Sequence, residues 1–324
     1  MATTADEQLI KYLADAHGIE EQALQQLRKA PEIAGEPNLA RAFRDHLVET
    51  EEHERLIRGR LEAHGADPSR FKDAVMRAGG AGFVLFAQLQ PDTPGKLTAH
   101  AYSYEHLEEA SYAMLERMAE RAGDDETAEV ARKIRGEEEA MGERLAAQFD
   151  NAVDASLRDI EPDDLREQLA KYLADAHALE EQAVQLLERG SSIAGDSALS
   201  SIFEEHLAET REHQELVEAR LQALDASPSW IKDAAMRLGA LNWGAFFQAH
   251  PDTPGKLAAF AFAFEHLEIA GYELLVRVAE RAGDQETLRA ARTIIAQERH
   301  AAEQVAGSFD RAFEASLREQ EVAR

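Results

Sequence analysis

Apolar residues recur every three or four positions along most of the chain, the spacing of one face of an α-helix. In the first half, Leu9, Leu13, Ala16, Ala23 and Leu27 predict a helix over roughly 6–29, which Pro31 and Gly35 end. A second stripe, Leu39, Phe43, His46, Glu49, His53, Leu56 and Arg60, predicts a helix over 37–64, ended by Gly65 and Pro68. Thr93-Pro94 starts a third, as a capping residue followed by proline at the first helical position. Its stripe includes Leu97, Ala101, Tyr112 and Leu115, and it stops at Gly123. The fourth carries Val130, Ile134, Met141 and Leu145 and is predicted from about Asp124 to Leu157. The connection between the second and third helices is expected to hold a short helix after Ser69 and an apolar patch, Phe83-Val84-Leu85-Phe86, that covers the bundle end or a subunit interface.

The pattern then repeats. KYLADAHGIEEQA from Lys11 returns as KYLADAHALEEQA from Lys171, QPDTPGKL at Gln90 as HPDTPGKL at His250, and AERAGD from Ala119 again from Ala279. The offset is 160 residues for all three landmarks, so no insertion separates them and both copies should share one fold. The polar junction around Arg158-Asp159-Ile160-Glu161-Pro162 divides the chain into residues 1–160 and 161–324. The expected fold is all-α: two tandem four-helix bundles, each of two hairpins joined by a long helix 2–helix 3 crossover. That is ferritin-like connectivity, with other four-helix topologies still open.

All four stripes turn acidic near their middle, at Glu20, Glu49, Glu105 with Glu108, and Glu138. Glu20, Glu49, Glu108 and Glu138 lie 13 to 16 residues from a hairpin end, roughly 20–24 Å along a helix, so they meet at mid-bundle. Burying several ionised carboxylates together requires compensating positive charge. Two divalent cations would supply it, and carboxylates with one or two imidazoles suit iron or manganese. The candidate ligands are therefore Glu20, Glu49, His53, Glu105, Glu108 and Glu138, with Glu180, Glu209, His213, Glu265, Glu268 and Glu298 in the second copy. Glu138 keeps its acid in the repeat, whereas Glu137 becomes Gln297 and Glu139 becomes Arg299.

The usual di-iron spacing is Glu-x-x-His. Here His53 stands at i+4 from Glu49, which leaves Glu52 and Glu212 as alternative ligands. His46, His106, His206 and His266 read as packing residues or as supports behind the ligands. His64, His100, His250 and His300 have no histidine counterpart and read as surface residues, and Tyr112 and Tyr272 as hydrogen-bonded core tyrosines. The competing explanation of the acidic seam is a network closed by arginines such as Arg60 and Arg117.

Composition narrows the partners. The formal net charge of -27 disfavours nucleic acid and anionic membranes and suits cations. The absence of cysteine excludes disulfides and thiolate sites. No apolar stretch is long enough for a membrane span, and the N-terminus has no signal-peptide pattern, so a cytoplasmic location is expected.

The motifs HLVETEEH (His46 to His53), YEHLEEASY (Tyr104 to Tyr112) and FEHLEIAGY (Phe264 to Tyr272), with the acidic stretch around Glu138, resemble the YciE/YciF-type ferritin-like family over nearly all of both repeats. The resemblance implies compact four-helix bundles with a central metal site and a link to bacterial stress. Single-domain members pair as dimers, so the duplication would put a pseudo-dimer in one chain. The departure is histidine at 53 and 213, where glutamine is expected. The leading expectation is a carboxylate-bridged dinuclear iron or manganese site in each repeat. If the protein is an enzyme, it would act on oxygen or hydrogen peroxide as a ferroxidase, peroxidase or catalase-like protein. The alternatives are a non-catalytic helical scaffold with an acidic hydrogen-bonded core, and an oxygenase acting on an organic substrate.

Overall fold

The computed structural model describes residues 4–66, 94–227 and 253–321, and every regular element among them is helical. The first repeat comprises α1 (Ala5–Leu27), α2 (Ala30–Ile33), α3 (Pro37–Ala63), α4 (Pro94–Ala122), α5 (Asp125–Ala146) and α6 (Phe149–Ser156). After a 3₁₀ turn at Pro162–Asp164, the second comprises α7 (Leu165–Ile193), α8 (Ser197–Ala223), α9 (Thr253–Ala282), α10 (Gln285–Gly307) and α11 (Phe309–Glu319). The short helix expected after Ser69 and the apolar patch at Phe83–Phe86 lie outside the described residues.

Local chemistry fixes the helix starts. Thr4 and Glu7 form a reciprocal capping box on α1. Glu36 accepts from the Leu39 N–H ahead of Pro37, and Asp124 accepts from the Thr127 N–H at the start of α5. Arg60, placed in the second stripe by sequence, donates to Asp124 and Thr127 at the end of the bundle, and Arg220 does the same to Asp284 and Thr287.

Two apolar layers define each bundle. In the first repeat one layer joins Leu27, Ala34, Leu39 and Phe43 to Tyr104, Met141 and Leu145. The other joins Leu9, Leu13, Ile57 and Leu61 to Leu115, Met118 and Ile134. The first layer therefore holds the end of α1 and the starts of α3 and α4, and the second holds the reverse. Helices α3 and α4 run parallel, and the chain that links them leaves one end of the bundle and re-enters at the other. This is the long-crossover connectivity expected from the sequence.

The fourth helix is shorter than its periodicity predicts. It breaks at Ala147-Gln148, where the Gln148 N–H bonds the Leu145 carbonyl in a tightened turn. The break turns Phe149 and Val153 of α6, and Leu157 just after it, onto Leu169, Leu173 and Leu274 of the second repeat. Packing against the partner bundle overrides a continuous helical pattern.

The two repeats face each other across a pseudo-twofold axis. Lys96 pairs with Asp175 and Lys256 with Asp15, and Arg117 pairs with Asp310 and Arg277 with Asp150, each contact related to its mate by the 160-residue offset. On the axis, Ser103 donates to the carbonyl of Ala263, its own counterpart, at 2.7 Å. The rings of His106 and His266 meet with their centroids 3.6 Å apart and their planes tilted by 36°. Such self-complementary contacts are those of a symmetric dimer interface. No described helix is long and apolar enough to cross a membrane.

Gly35 and Gly195 form the turns of the first hairpins with positive φ, and a Cβ on Gly195 would stand 2.8 Å from Pro254 Cγ at the start of α9. Gly123 also has positive φ but faces open space. Gly195→Ala is expected to cost about 2–3 kcal/mol and Gly123→Ala about 1 kcal/mol, read by denaturant unfolding.

Candidate metal centre

The middle of the first bundle, between its two apolar layers, is polar and closed. Helix α1 contributes Glu20, α3 contributes His46 and His53, α4 contributes Glu105 and Glu108, and α5 contributes Glu138. All six are buried, with exposures of 3 % or less. They form two groups whose donor atoms lie within 4.8 Å of one another: His46, Glu105, Glu108 and Glu138, and Glu20, His53 and Glu138. Glu138 belongs to both. The imidazoles of His46 and His53 stand edge to face, 6.3 Å apart. In the second bundle His206, Glu265, Glu268 and Glu298, and Glu180, His213 and Glu298, repeat the arrangement.

Not every predicted residue arrives there. Glu49 lies at the rim, held by Arg144 and by His46 Nδ1 at 2.9 Å, and Glu209, among the described residues, likewise reaches His206 Nδ1 at 3.3 Å. Glu52 faces outward onto Arg55. His46 and His206, assigned from sequence to supporting roles, take the inward place. The reason is the register of the buried stripe on α3, which is Phe43, His46, Thr50, His53, Ile57 and Leu61 rather than a path through Glu49, Leu56 and Arg60. Thr50 fits this seam because its hydroxyl donates to the His46 carbonyl one turn back. Ile57 and Leu61, apolar and in phase with His53, were the available sequence signal. Of the four histidines read as surface residues, His300 is exposed, His64 is half-buried on Asp124, His100 is half-buried in α4, and His250 lies outside the described residues.

The donor set fits divalent cations on two grounds. The first is charge: among the described residues no lysine or arginine pairs with Glu20, Glu105, Glu108 or Glu138. Arg60 and Arg117, the candidates to close such a network, bond Asp124 and Asp310 instead. The second is valence. Eight buried atoms in the first repeat have no aligned hydrogen bond: both oxygens of Glu108 and of Glu138, Oε2 of Glu20 and of Glu105, Nε2 of His46 and Nδ1 of His53. The same eight recur in the second repeat. Of the first eight, Nε2 of His46, Nδ1 of His53, Oε2 of Glu105 and both oxygens of Glu138 stand in pairs 2.8–3.3 Å apart. Both oxygens of Glu108 and Oε2 of Glu20 face no donor among the described residues. Leaving buried polar atoms unpartnered costs about 1–3 kcal/mol each, and the convergent group could hold an ion. The set departs from the usual distribution, because both imidazoles come from one helix at i and i+7 rather than from two Glu-x-x-His motifs.

Protonation states follow from the same crowding. Burial, and then the charge of Glu138, raises Glu20 to about 8. Burial raises Glu105 to about 7 and Glu108 well above the carboxylate range. Burial pulls His53 down, but the close approach of Nδ1 to Glu138 at 2.8 Å and the carboxylate charges outweigh this and hold it at about 8. Burial also works against ionisation of Glu138, yet the adjacent imidazoles of His46 and His53, at 3.3 and 2.8 Å, keep it below the ordinary range. Tyr112, buried beside Glu108, donates to Glu20, and Tyr272 donates to Glu180.

A family model described as Domain of unknown function (DUF892) matches the chain twice, over residues 4–158 and 164–318.

Metal-free protein holds protons on Glu20, Glu105 and His53 that the unfolded chain releases, since their folded pKa values are raised. That contribution is full below pH 4.5 for the acids and below 6.5 for His53, and it is lost as pH rises through about 7–8. Thermal melts of metal-free protein are expected to fall from pH 5 to pH 8. Metal-loaded protein, whose ligands must be deprotonated, is expected to show the opposite slope.

Proposed function

The chain belongs to the DUF892 family, and from that membership and its two buried donor clusters we propose that it is a metal-binding protein with a carboxylate-bridged dinuclear iron or manganese site in each repeat. The observation that carries the reading is Glu108, with Glu268 in the other copy. Each is fully enclosed, and neither oxygen of either carboxylate has a hydrogen-bond partner. The sharing of Glu138 between two donor groups favours two ions bridged by one carboxylate over a single ion. Four carboxylates and two neutral imidazoles also balance the charge of two divalent cations.

The resemblance to stress-associated YciE/YciF-type proteins directs the function to oxidative or general stress, with oxygen or hydrogen peroxide as the co-reactant. Iron or manganese bound at such a site supplies one-electron redox chemistry. The residues of this chain would hold the ions from four helices, exclude bulk water with the apolar layers above and below, and fix the orientation of Glu20 through the Tyr112 hydroxyl.

The competing reading, a metal-free acidic core of a scaffold protein, draws on the pairing of His46 and His53 with Glu138 at 3.3 and 2.8 Å. It leaves Glu108 without a partner. Elemental analysis separates the two, with about four iron or manganese ions expected per chain. Metal-free protein whose melting temperature ignores added iron or manganese would remove the metal reading. Within the first repeat, His46→Ala is expected to lose about half of the chain's bound metal, whereas Glu49→Ala, at the rim, keeps the full number of ions but binds those of the first repeat about tenfold or more weaker.

A further inference from the structure

The inner constellations of the two repeats are nearly superposable. His46 and His206 approach Glu105 and Glu265 at 3.0 and 2.9 Å, and His53 and His213 approach Glu138 and Glu298 at 2.8 and 2.9 Å. The imidazole pairs are separated by 6.3 and 6.4 Å. The residues immediately behind them differ. In the first repeat the outer nitrogen of His53, Nε2, meets a carboxylate, Glu137 Oε2, at 2.7 Å. In the second, His213 Nε2 meets an amide, Gln297 Oε1, at 3.2 Å.

We propose that Glu137 and Gln297 make the two centres unequal, the first repeat binding divalent metal more tightly than the second. The inference rests on the dinuclear reading above. An ionised carboxylate only accepts, so Glu137 keeps the proton on Nε2 of His53 and leaves the Nδ1 lone pair directed at Glu138 and Glu20. Its charge also makes the ring a stronger donor to a cation. A glutamine amide offers either oxygen or NH₂ to the ring, so it dictates no tautomer and adds no charge.

The surroundings reinforce the difference. Glu49, behind His46, is clamped by Arg144, whereas position 304 is glutamine and bonds His300, so Glu209 lacks that clamp. Lys133 bonds Glu137 at 2.8 Å and steers it, but stands half in water, where its charge is screened. Position 293 is threonine. Glu137 and Gln297 are positioning residues in this scheme, since each acts through a histidine.

The test uses the full metal-free chain titrated anaerobically with Mn²⁺, free ion being read by electron paramagnetic resonance. Half of the bound Mn²⁺ is expected to bind about tenfold or more tighter than the rest. Glu137→Gln should weaken that half alone. Gln297→Glu should tighten the other half alone, and it keeps the test decisive if the first variant folds poorly. Co²⁺ supplies a reading that a purely structural role would not move: two successive visible spectra in the parent chain and a single spectrum in either variant. One common affinity in the parent chain, or an isotherm that neither substitution changes or that either shifts as a whole, overturns the inference while leaving the dinuclear reading intact. Absence of any Mn²⁺ or Co²⁺ binding overturns both.

Discussion

Four carboxylates and two imidazoles in the middle of an apolar bundle impose an electrostatic condition that the rest of each repeat has to meet. Ionised together and unpaired, the acids would repel one another in a medium that screens poorly. The metal-free arrangement meets the condition by retaining protons. Glu20, Glu105 and Glu108 are raised, and two histidines charge themselves against Glu138. To hold the proposed cations, the same groups would have to give up those protons, which would link the charge state of the site to its occupancy.

That condition explains the layering. Apolar residues above and below, from Leu27 and Phe43 to Leu9 and Leu61, supply the burial that holds four helices together without help from the centre. The ends are closed separately, by Thr4 with Glu7, Glu36, and the Arg60–Asp124–Thr127 group. Arg60 at such an end and Arg117 and Arg277 on the inter-repeat face bond acids outside the seam, and Arg144 reaches only its rim, at Glu49.

Duplication adds a second level. The contacts across the pseudo-twofold axis have the pairwise reciprocity of a homodimer, now within one chain. A true homodimer must carry identical sites. A fused pair can change one member, and residues 137/297, 144/304 and 133/293 differ directly around otherwise matched histidines.

The sequence by itself determined the helical class, the duplication and the depth of the site. A 3.6-residue period, a constant 160-residue offset and acidic interruptions at matched distances from the turns are all one-dimensional quantities. They sufficed to bring Glu20, His53, Glu105, Glu108 and Glu138 into view, because helix geometry converts residue number directly into height and face. Tertiary structure alone decided the rest. Steps of three and of four both satisfy a helical stripe, so the choice between Glu49 and Thr50 on α3, and with it the inward turn of His46, depended on where Ile57 and Leu61 found an apolar layer. The break before Phe149 was likewise invisible in a continuous pattern, since its cause is the neighbouring repeat rather than any local residue.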